Sequence, residues 1–304
     1  MFKDVLVGVD GRPNGRDALA LASRLVDPDG RLTLAHVHSG ELHPVHAVTP
    51  GLLAEEHDAS MAMLERERAA VDVDAELLSI VALSPGRGLH QRAEELGADL
   101  IVVGSCGRGT FGRAMLGDDT RTALNGAPSA VAVAVRGYAE HPRPIATIGV
   151  GYNDTPESEA ALALARELAA PTRAEVRALE VVSIPSYAFT GLMPQAVGES
   201  IEGMLTEANA RLQAILGVEG RAVYGLTGEE LAAFGDEVDI LVLGSRSYGP
   251  LRRLVMGSTS DYLERHARCS LLVLPRGWGS QVASEEELEA PAAEQARTAA
   301  GGEA

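Results

Sequence analysis

The sequence predicts an α/β protein with two doubly wound, parallel, five-stranded sheets in tandem. One supporting observation is an internal repeat: residues 99–105 read DLIVVGS, and residues 239–245 read DILVLGS. A second is that short β-branched runs alternate with longer segments of helical period. A third is the length of 304 residues, since one domain usually takes about 150 residues.

The repeat extends on both sides of this match and divides the chain. Pro13 corresponds to Pro156, and the MLG of residues 115–117 corresponds to the VMG of residues 255–257. A repeat of this length indicates two copies of one folding unit. We therefore predict four segments: repeat one at residues 1–138, a linker at 139–144, repeat two at 145–277 and an acidic tail at 278–304.

In repeat one, the apolar runs predict five strands, at residues 3–9, 31–37, 76–82, 99–104 and 130–135. The segments between them predict helices at 17–25, 52–71 and 89–96, and a fourth helix that begins after Gly117. In the first of these, Ala18, Leu21, Ala22 and Leu25 lie on one face at helical spacing. Each of the first four strands is thus followed by a helix, as in a parallel sheet.

Repeat two shows the same order, with predicted strands at 145–152, 174–182, 220–224, 239–244 and 270–274. Its alanine- and leucine-rich helices at 158–169 and 204–216 are interpreted as core faces. Each repeat is therefore expected to be a Rossmann- or flavodoxin-like α/β/α sandwich. Ligands of such folds bind beyond the carboxyl ends of the strands, at a topological switch point.

The tail has a different composition from the repeats. From residue 280 onward it contains six glutamates and one arginine, and no aromatic residue follows Trp278. Such a segment cannot bury enough apolar surface to fold, so a disordered acidic tail is expected. It is interpreted either as a solvated terminus or as an interaction segment.

The charged residues exclude several kinds of chemistry. Lys3 is the only lysine, so arginine supplies the rest of the 26 positive charges, against 43 acids and a net charge of −17. Without an internal lysine, a Walker A phosphate lysine, a Schiff base and a Ser-Lys dyad are all excluded. The negative charge also argues against binding to nucleic acid or to anionic membranes. Small molecules or proteins are the expected partners.

The cysteines and the amino terminus bear on the compartment. Cys106 and Cys269 are far apart in the chain, which indicates neither a zinc knuckle nor a disulfide framework. The chain starts directly with a predicted strand, and no apolar stretch approaches 18 residues. We therefore expect a soluble protein in a reducing, cytoplasmic compartment.

Glycines cluster after the fourth strand of each repeat. In repeat one, Gly104 and Gly107 follow the strand, and Gly117 and Asp118 precede the next helix. Backbone N–H groups in such a turn can approach phosphate oxygens, and a helix amino terminus adds partial positive charge. Alternatively, the glycines only make tight strand-to-helix turns. The occurrence of the arrangement twice favours the phosphate interpretation.

These residues resemble the signature of the universal stress protein family, G-x-x-G, nine residues, then G-[S/T]. The resemblance covers about 270 of the 304 residues and includes the last strand, residues 271–276. It implies two universal stress domains with the adenine-nucleotide alpha-hydrolase-like fold. It also implies that each domain has a site for ATP or another adenine nucleotide, with Mg²⁺ as an accompanying ion.

The resemblance carries over to particular positions. The family's acid after strand one corresponds to Asp10, whereas repeat two has Asn153 there. Each half departs once from the signature, with Asp118 in the Ser/Thr position and Ser247 in the position of the middle glycine. The candidate nucleotide-binding residues are Asp10, Val37, Val103, Gly104, Gly107, Gly117 and Asp118 in repeat one and Asn153, Gly244, Ser247, Gly257, Ser258 and Thr259 in repeat two.

The departures have physical consequences. An ionised Asp118 beside a phosphate would cost about 4 kcal/mol at a separation of ~4 Å and an effective dielectric constant near 20. Ser247 is unfavourable only where its backbone needs a positive φ or its Cβ blocks the phosphate. Asn153 still accepts a hydrogen bond from a ribose hydroxyl. We expect at least one half to bind ATP or AMP.

Three function classes remain open. The leading one is a nucleotide-binding stress or regulatory protein. The second is an ATP-using enzyme, although the SGGxDS and HIGH motifs of adenylating enzymes are absent from the sequence. No catalytic residue is assigned, and Asp10 and Asp118 would support at most slow ATP hydrolysis. The third is a nucleotide-free interaction scaffold, which the departures from the signature favour.

Other residues allow alternative interpretations. Cys106 is either a redox sensor or a tolerated small residue, and Arg252 and Arg253 either contact phosphate or are solvated. Four histidines, His36, His38, His43 and His46, form either a metal site or an ordinary loop; no metal ligand is assigned. The resemblance implies that the halves pair through their last strands as an intramolecular pseudo-dimer. Further pairing into a homodimer stays open.

Overall fold

The computed structural model describes residues 1–38, 50–71, 73–105, 118–183, 194–245, 254 and 257–278. Within repeat one these residues form alternating strands and helices in the order β1 (Phe2–Gly8), α1 (Pro13–Leu25), β2 (Val26–His38), α2 (Pro50–Val71), β3 (Glu76–Val81), α3 (Pro85–Leu96), β4 (Leu100–Gly104), α4 (Asp118–Leu124) and β5 (Ala130–Ala134).

The described residues of repeat two follow the same order: β6 (Thr147–Tyr152), α5 (Pro156–Thr172), β7 (Glu175–Val182), α6 (Pro194–Ala214), β8 (Glu219–Tyr224), α7 (Thr227–Phe234), β9 (Ile240–Gly244), α8 (Ser258–His266) and β10 (Ser270–Leu274). None of the helices in the described part of the chain is both long and apolar enough to cross a membrane.

The two predicted five-stranded sheets are the halves of one continuous sheet. The strand order is β3-β2-β1-β4-β5-β10-β9-β6-β7-β8, and the pairs within each half are parallel. The halves meet where β5 pairs with β10 in antiparallel orientation, with Ala132 opposite Leu272. The hydroxyl oxygen of Ser270 also accepts a hydrogen bond from the Val135 N–H at 3.2 Å. The last strands of the two repeats are therefore paired.

Helices cover both faces of the sheet, and an apolar core lies under each layer. One core joins the sheet to α1, α2, α5 and α6, and includes Leu19, Leu64, Leu162 and Leu212. The other joins the sheet to α3, α4, α7 and α8, and includes Leu124 and Phe234. Because both faces are covered, the central strands β4, β5, β9 and β10 are almost continuously apolar, as buried parallel strands usually are.

An aspartate that precedes the fourth strand explains part of the repeated sequence. The Asp99 carboxylate accepts hydrogen bonds from the N–H groups of Lys3 and Asp4, at 2.8 and 3.1 Å. In repeat two, Asp239 accepts from Ala146 and Thr147, both at 2.9 Å. Each aspartate thus satisfies backbone donors at the start of the neighbouring strand.

The element bounds differ from the predicted ones mainly at the ends. Helices α1 and α5 start four and two residues before the first predicted position, because Pro13 and Pro156 occupy the first helical turn, where a missing N–H costs nothing. Strand β2 begins at Val26 rather than at residue 31, since Val26 pairs with Phe2 before a register shift. Helix α6 begins at Pro194 rather than at 204.

Candidate functional site

The strand order places one switch point in each half of the sheet. In repeat one, β1 lies between β2 and β4, and the chain runs from β1 to β2. In repeat two, β6 lies between β7 and β9 in the same way, and the chain runs from β6 to β7. The loops after β1 and β4, or after β6 and β9, therefore diverge and leave a crevice at the carboxyl ends of these strands. The structure has a cleft at both places.

The repeat two cleft is the larger, with a volume of about 490 Å³. Its apolar wall consists of Leu179, Val181, Leu231 and Leu243. Its polar residues come from the segments after β6 and β9 and from the starts of α5, α7 and α8, and are Asn153, Thr155, Glu157, Ser158, Thr227, Ser245, Thr259 and Ser260.

The repeat one cleft has a volume of about 110 Å³. Its walls are built from the ends of β1, β2 and β4 and from α1, α3 and α4. The residues that line it are Gly8, Val9, Asp10, Asn14, Ala35, His36, Val37, Pro85, Leu89, Val103, Gly104, Thr120 and Ala123. The two clefts are therefore built from equivalent elements but differ in size.

The first glycine of each signature is required by packing. A Cβ on Gly104 would lie 2.0 Å from the carbonyl oxygen of Asn14, and one on Gly244 would lie 2.6 Å from that of Glu157. Both distances are far below van der Waals contact. Gly104 and Gly244 thus allow β4 and β9 to approach the first turns of α1 and α5, independently of any ligand.

Asp10 is held by the turn that leads into α1. Its carboxylate accepts a hydrogen bond from the Arg12 N–H at 3.1 Å, and the Asn14 amide nitrogen lies 3.5 Å away. The Arg12 guanidinium lies 3.8 Å from the same carboxylate, on an exposed side chain. Gly11 supplies the positive φ of 72° that the turn requires. Asp10 is thus oriented at the rim of the repeat one cleft.

Asn153 has an equivalent local arrangement in repeat two. Its side-chain oxygen accepts a hydrogen bond from the Thr155 hydroxyl at 2.7 Å. Thr155 and Ser158 form a reciprocal capping box at the start of α5. Asp154, which follows Asn153 in this loop, has a φ of 54°. The loop after β6 therefore presents an uncharged amide where the loop after β1 presents a carboxylate.

The structure brings together most of the candidate residues that it describes. Asp10, Val37, Val103 and Gly104 line the repeat one cleft. Asn153, Gly244, Gly257 and Thr259 line the repeat two cleft. Asp118 and Ser258 are the first residues of α4 and α8.

Several of the sequence-based interpretations lie outside the described residues. Gly107, Gly117 and Ser247 are among them, so their predicted roles stay predictions. The same holds for Cys106, His43, His46, Arg252, Arg253 and the tail from residue 279 onward.

Several residues of the repeat two cleft were not predicted from the sequence. Val181 is the counterpart of Val37, because Gly151 pairs with Leu179 as Gly8 pairs with Ala35. Aligning the second strands of the two repeats would have found it. Ser245 and Ser260 were also missed, although each adjoins an assigned residue.

Ser245 is a buried polar residue of the repeat two cleft. It is only 8% exposed, and its hydroxyl has no hydrogen-bond partner among the residues that the structure describes, although it lines the cleft. Its backbone N–H donates to the Leu274 carbonyl at 2.9 Å, which places the residue beside the end of β10. A buried hydroxyl without a hydrogen-bond partner is costly unless a water molecule or a ligand supplies that partner.

A polar network supports the loop after β6 from the α6 side of the sheet. The Tyr152 hydroxyl donates to Glu159 and lies 3.5 Å from Asp154. Burial, and then the carboxylate of Glu159, raises the pKa of Tyr152, so its hydroxyl stays protonated. Arg211 of α6 donates to Glu180 at 2.5 Å and lies 3.9 Å from Asp154. This network connects α6 to the loop that carries Asn153.

The two described histidines of the predicted cluster have partners. The Nδ1 atom of His36 lies 2.8 Å from the Val9 carbonyl oxygen. In His38, Nδ1 lies 3.2 Å from Glu56 and Nε2 lies 3.0 Å from the Ser79 hydroxyl. Both side chains therefore connect β2 to neighbouring elements.

Chemically, the repeat two cleft is suited to binding. Among its described lining residues, Glu157 is the single acid, and the lining contains no basic side chain. The Glu157 carboxylate lies 3.8 Å from Nε of Arg276, which follows β10. The remaining polar groups are hydroxyls and an amide, which donate and accept hydrogen bonds without titrating near neutral pH.

Known proteins resemble this chain in sequence and in fold. A family model described as the universal stress protein family matches residues 1–136 and 144–275. A universal stress protein of Mycobacterium tuberculosis is 27% identical over 209 residues, which span 63% of this chain and 69% of that protein.

Two solved structures share the fold over nearly the whole chain. One is a universal stress protein from Archaeoglobus fulgidus, with a TM-score of 0.60 and 16% identity over 90% of this chain and 98% of that chain. The other is a putative universal stress protein from Pseudomonas aeruginosa, with a TM-score of 0.61 and 18% identity over 94% and 97%. At these identities the likeness concerns the fold alone.

Proposed function

Because this chain belongs to the universal stress protein family, we propose that it is a stress-response or regulatory protein that binds ATP or another adenine nucleotide. At least one of its two clefts would hold the nucleotide. The protein would act through binding, with ATP hydrolysis absent or slow, since the described lining of the larger cleft offers Glu157 as its single candidate base.

The observation that carries this proposal is the repeat two cleft. Its volume of about 490 Å³ lies in the range of small-molecule sites, roughly 300–1,000 Å³. The apolar wall of Leu179, Val181, Leu231 and Leu243 suits the flat, largely apolar faces of a purine. The opposite wall offers hydroxyls and the Asn153 amide, which suit a ribose and phosphates.

The composition of the chain determines how phosphates would be bound. Lys3, the only lysine, lies near the amino end of β1, whereas the clefts lie at the carboxyl ends of the strands. Phosphate oxygens would therefore be held by backbone N–H groups, by hydroxyls such as that of Thr259, and by the amino terminus of α8. Mg²⁺ would bind together with the nucleotide, and Glu157 is the single carboxylate among the described lining residues of this cleft.

A nucleotide-free scaffold is the second candidate function. The observation in its favour is the repeat one cleft, whose volume of about 110 Å³ falls below the range of about 300–1,000 Å³ expected for small-molecule sites. Under this alternative both clefts would stay empty, and the helices that cover the ten-stranded sheet would present their outer surfaces to a protein partner.

Two measurements separate these candidates. Purified protein is denatured, and the released small molecules are analysed for adenine nucleotides; stripped protein is then titrated calorimetrically with ATP, ADP and AMP. We expect nucleotide in the released fraction or a saturable heat with at least one of the three. A clean released fraction together with no heat at high protein concentration would favour the scaffold.

A further inference from the structure

We infer that the two clefts are unequal, with one phosphate-bearing nucleotide bound per chain, in repeat two, and none in repeat one. This inference rests on the proposed function and specifies the half and the ligand class. Three observations carry it: the sizes of the clefts, the charges at the starts of α4 and α8, and the Ser245 hydroxyl, which has no hydrogen-bond partner among the described residues.

One pair of equivalent residues contributes to the difference in volume between the two clefts. The register of the second strands makes His36 equivalent to Glu180. The His36 side chain bonds the Val9 carbonyl, and the residue lines the repeat one cleft. Glu180 instead bonds Arg211 of α6 and does not line the repeat two cleft. Arg211 thus keeps the equivalent position of repeat two clear.

The starts of the helices that border the two clefts differ in charge. Helix α4 begins with Asp118 and Asp119 in the sequence. The start of α4 lies against the repeat one cleft, because the Thr120 hydroxyl donates to the Gly104 carbonyl at 3.0 Å and Thr120 lines the cleft. Two acidic residues in the first turn lower the positive potential that a helix amino terminus would offer to a phosphate.

In repeat two, the equivalent helix α8 begins instead with the uncharged residues Ser258, Thr259 and Ser260. With nine residues, α8 has two full turns, so its amino terminus presents free N–H groups and partial positive charge to the cleft. The described lining of each cleft also holds one carboxylate with an arginine 3.8 Å away, Asp10 with Arg12 and Glu157 with Arg276, so these acids do not distinguish the clefts.

Ser245 supplies independent evidence of a ligand. The residue is more than nine-tenths buried, its hydroxyl has no hydrogen-bond partner among the described residues, and it lines the larger cleft. The equivalent Ser105 is also buried without a partner in the described part of the chain, but it is not among the lining residues of the repeat one cleft. A ligand oxygen in the repeat two cleft would satisfy the Ser245 hydroxyl.

The test uses a matched pair of variants of the full chain. Val181→Trp and Val37→Trp each place a bulky ring at the same position of one cleft, at the end of the second strand. Calorimetric titration with ATP, AMP and adenosine should give one site per chain for the native protein. We expect Val181→Trp to abolish binding and Val37→Trp to leave stoichiometry and affinity unchanged, with circular dichroism confirming that both variants fold.

A second pair of variants with smaller substitutions tests the inference even if the tryptophan variants misfold. Ser245→Ala should weaken ATP and AMP binding about tenfold, the usual effect of one lost hydrogen bond to a charged group. Ser105→Ala should leave binding unchanged. Adenosine should bind native protein more weakly than AMP, because the phosphate contributes.

The outcomes separate the inference from the proposed function. Absence of binding to native protein would refute the proposed function itself. Two sites per chain, loss of binding in Val37→Trp, or adenosine binding as tightly as AMP would overturn the inference and leave nucleotide binding standing. Loss in Val181→Trp alone, together with weaker binding in Ser245→Ala, would support it.

Discussion

Gly104 and Gly244 bring the ends of β4 and β9 into direct contact with the first turns of α1 and α5. Since the nearest obstacle to a Cβ is a carbonyl oxygen of the main chain in both cases, a rotamer change cannot relieve the clash. The same glycines also border the clefts. Their effects on binding and on folding therefore have to be measured separately.

We expect Gly104→Ala and Gly244→Ala each to lower the free energy of unfolding by about 1–3 kcal/mol or more, the usual cost of overpacking. Gly203→Ala is the control, because a Cβ there meets no atom within 4 Å on helix α6. That change should stabilise the chain by roughly 0.5–1 kcal/mol. Urea unfolding of the three variants checks this, and equal stabilities of all three would contradict the packing role.

Asp17 makes the stability of repeat one depend on pH. Its buried carboxylate accepts hydrogen bonds from the N–H groups of Gly137 and Ala139, at 2.9 and 2.8 Å. Burial raises the pKa of Asp17, and the two hydrogen bonds oppose that shift only in part. The folded chain therefore holds this proton more tightly than the unfolded chain, whose aspartates have a pKa of about 3.9.

Because the pKa of Asp17 is higher in the folded chain than in the unfolded chain, Asp17 contributes less to the free energy of unfolding as the pH rises through these two values. We expect the free energy of unfolding of native protein, minus that of Asp17→Asn, to be larger near pH 4.5 than near pH 7. Both pH values lie above the unfolded pKa of about 3.9. Urea unfolding of both proteins at the two pH values measures this. A difference that is the same at both pH values, or larger at pH 7, would show that the titration of Asp17 is not linked to folding.

At the scale of single elements, the first helices of the two repeats differ in how they begin. Both have proline in the first turn, but α5 is capped by the reciprocal bonds of Thr155 and Ser158. Helix α1 begins after Arg12, whose side chain makes no capping hydrogen bond, and has Gly15 where α5 has Ser158. The start of α5 is thus better satisfied than that of α1.

Two substitutions test the difference between the caps. Thr155→Ala should cost about 1 kcal/mol, since it leaves a backbone donor of α5 unsatisfied. Arg12→Ser should gain up to about 1 kcal/mol by introducing a cap at a residue that already has extended backbone geometry. Thermal and urea unfolding are the measurements. If Arg12→Ser destabilised the chain, the contact of Arg12 with Asp10 would outweigh capping.

At the scale of the whole molecule, the antiparallel pairing of β5 with β10 turns two five-stranded halves into one sheet. Each of these strands would otherwise be an edge with unpaired backbone groups. Cys269 lies just before β10, close to this junction. Burial raises the pKa of its thiol to about 12, so the thiolate is scarce near neutral pH.

This thiol should report on opening of the junction. In a Cys106→Ser variant, Cys269 is the single cysteine, and we expect it to be unreactive toward a thiol reagent at about pH 8, near the ordinary cysteine pKa. Reactivity should rise with urea in parallel with the loss of helical circular dichroism. Full labelling before any loss of helix would show that the two halves separate while still folded.

The sequence alone determined the element order, the duplication and the general position of the candidate sites. Those features follow from short-range periodicity and from matches such as that between residues 99–105 and 239–245. It also pointed to Asp10, Val37, Asn153 and Thr259, which the structure places along the two clefts. It did not identify Val181 or Ser245, because neither stands out in a motif.

The tertiary structure decided which strands meet and what the shared glycines do. It joined the halves into one sheet, gave Gly104 and Gly244 a packing role, and made one cleft about 490 Å³ and the other about 110 Å³. The physical reason is distance along the chain. Contacts such as Arg211 with Glu180 and Ala132 with Leu272 join residues far apart in sequence, and no local pattern encodes them.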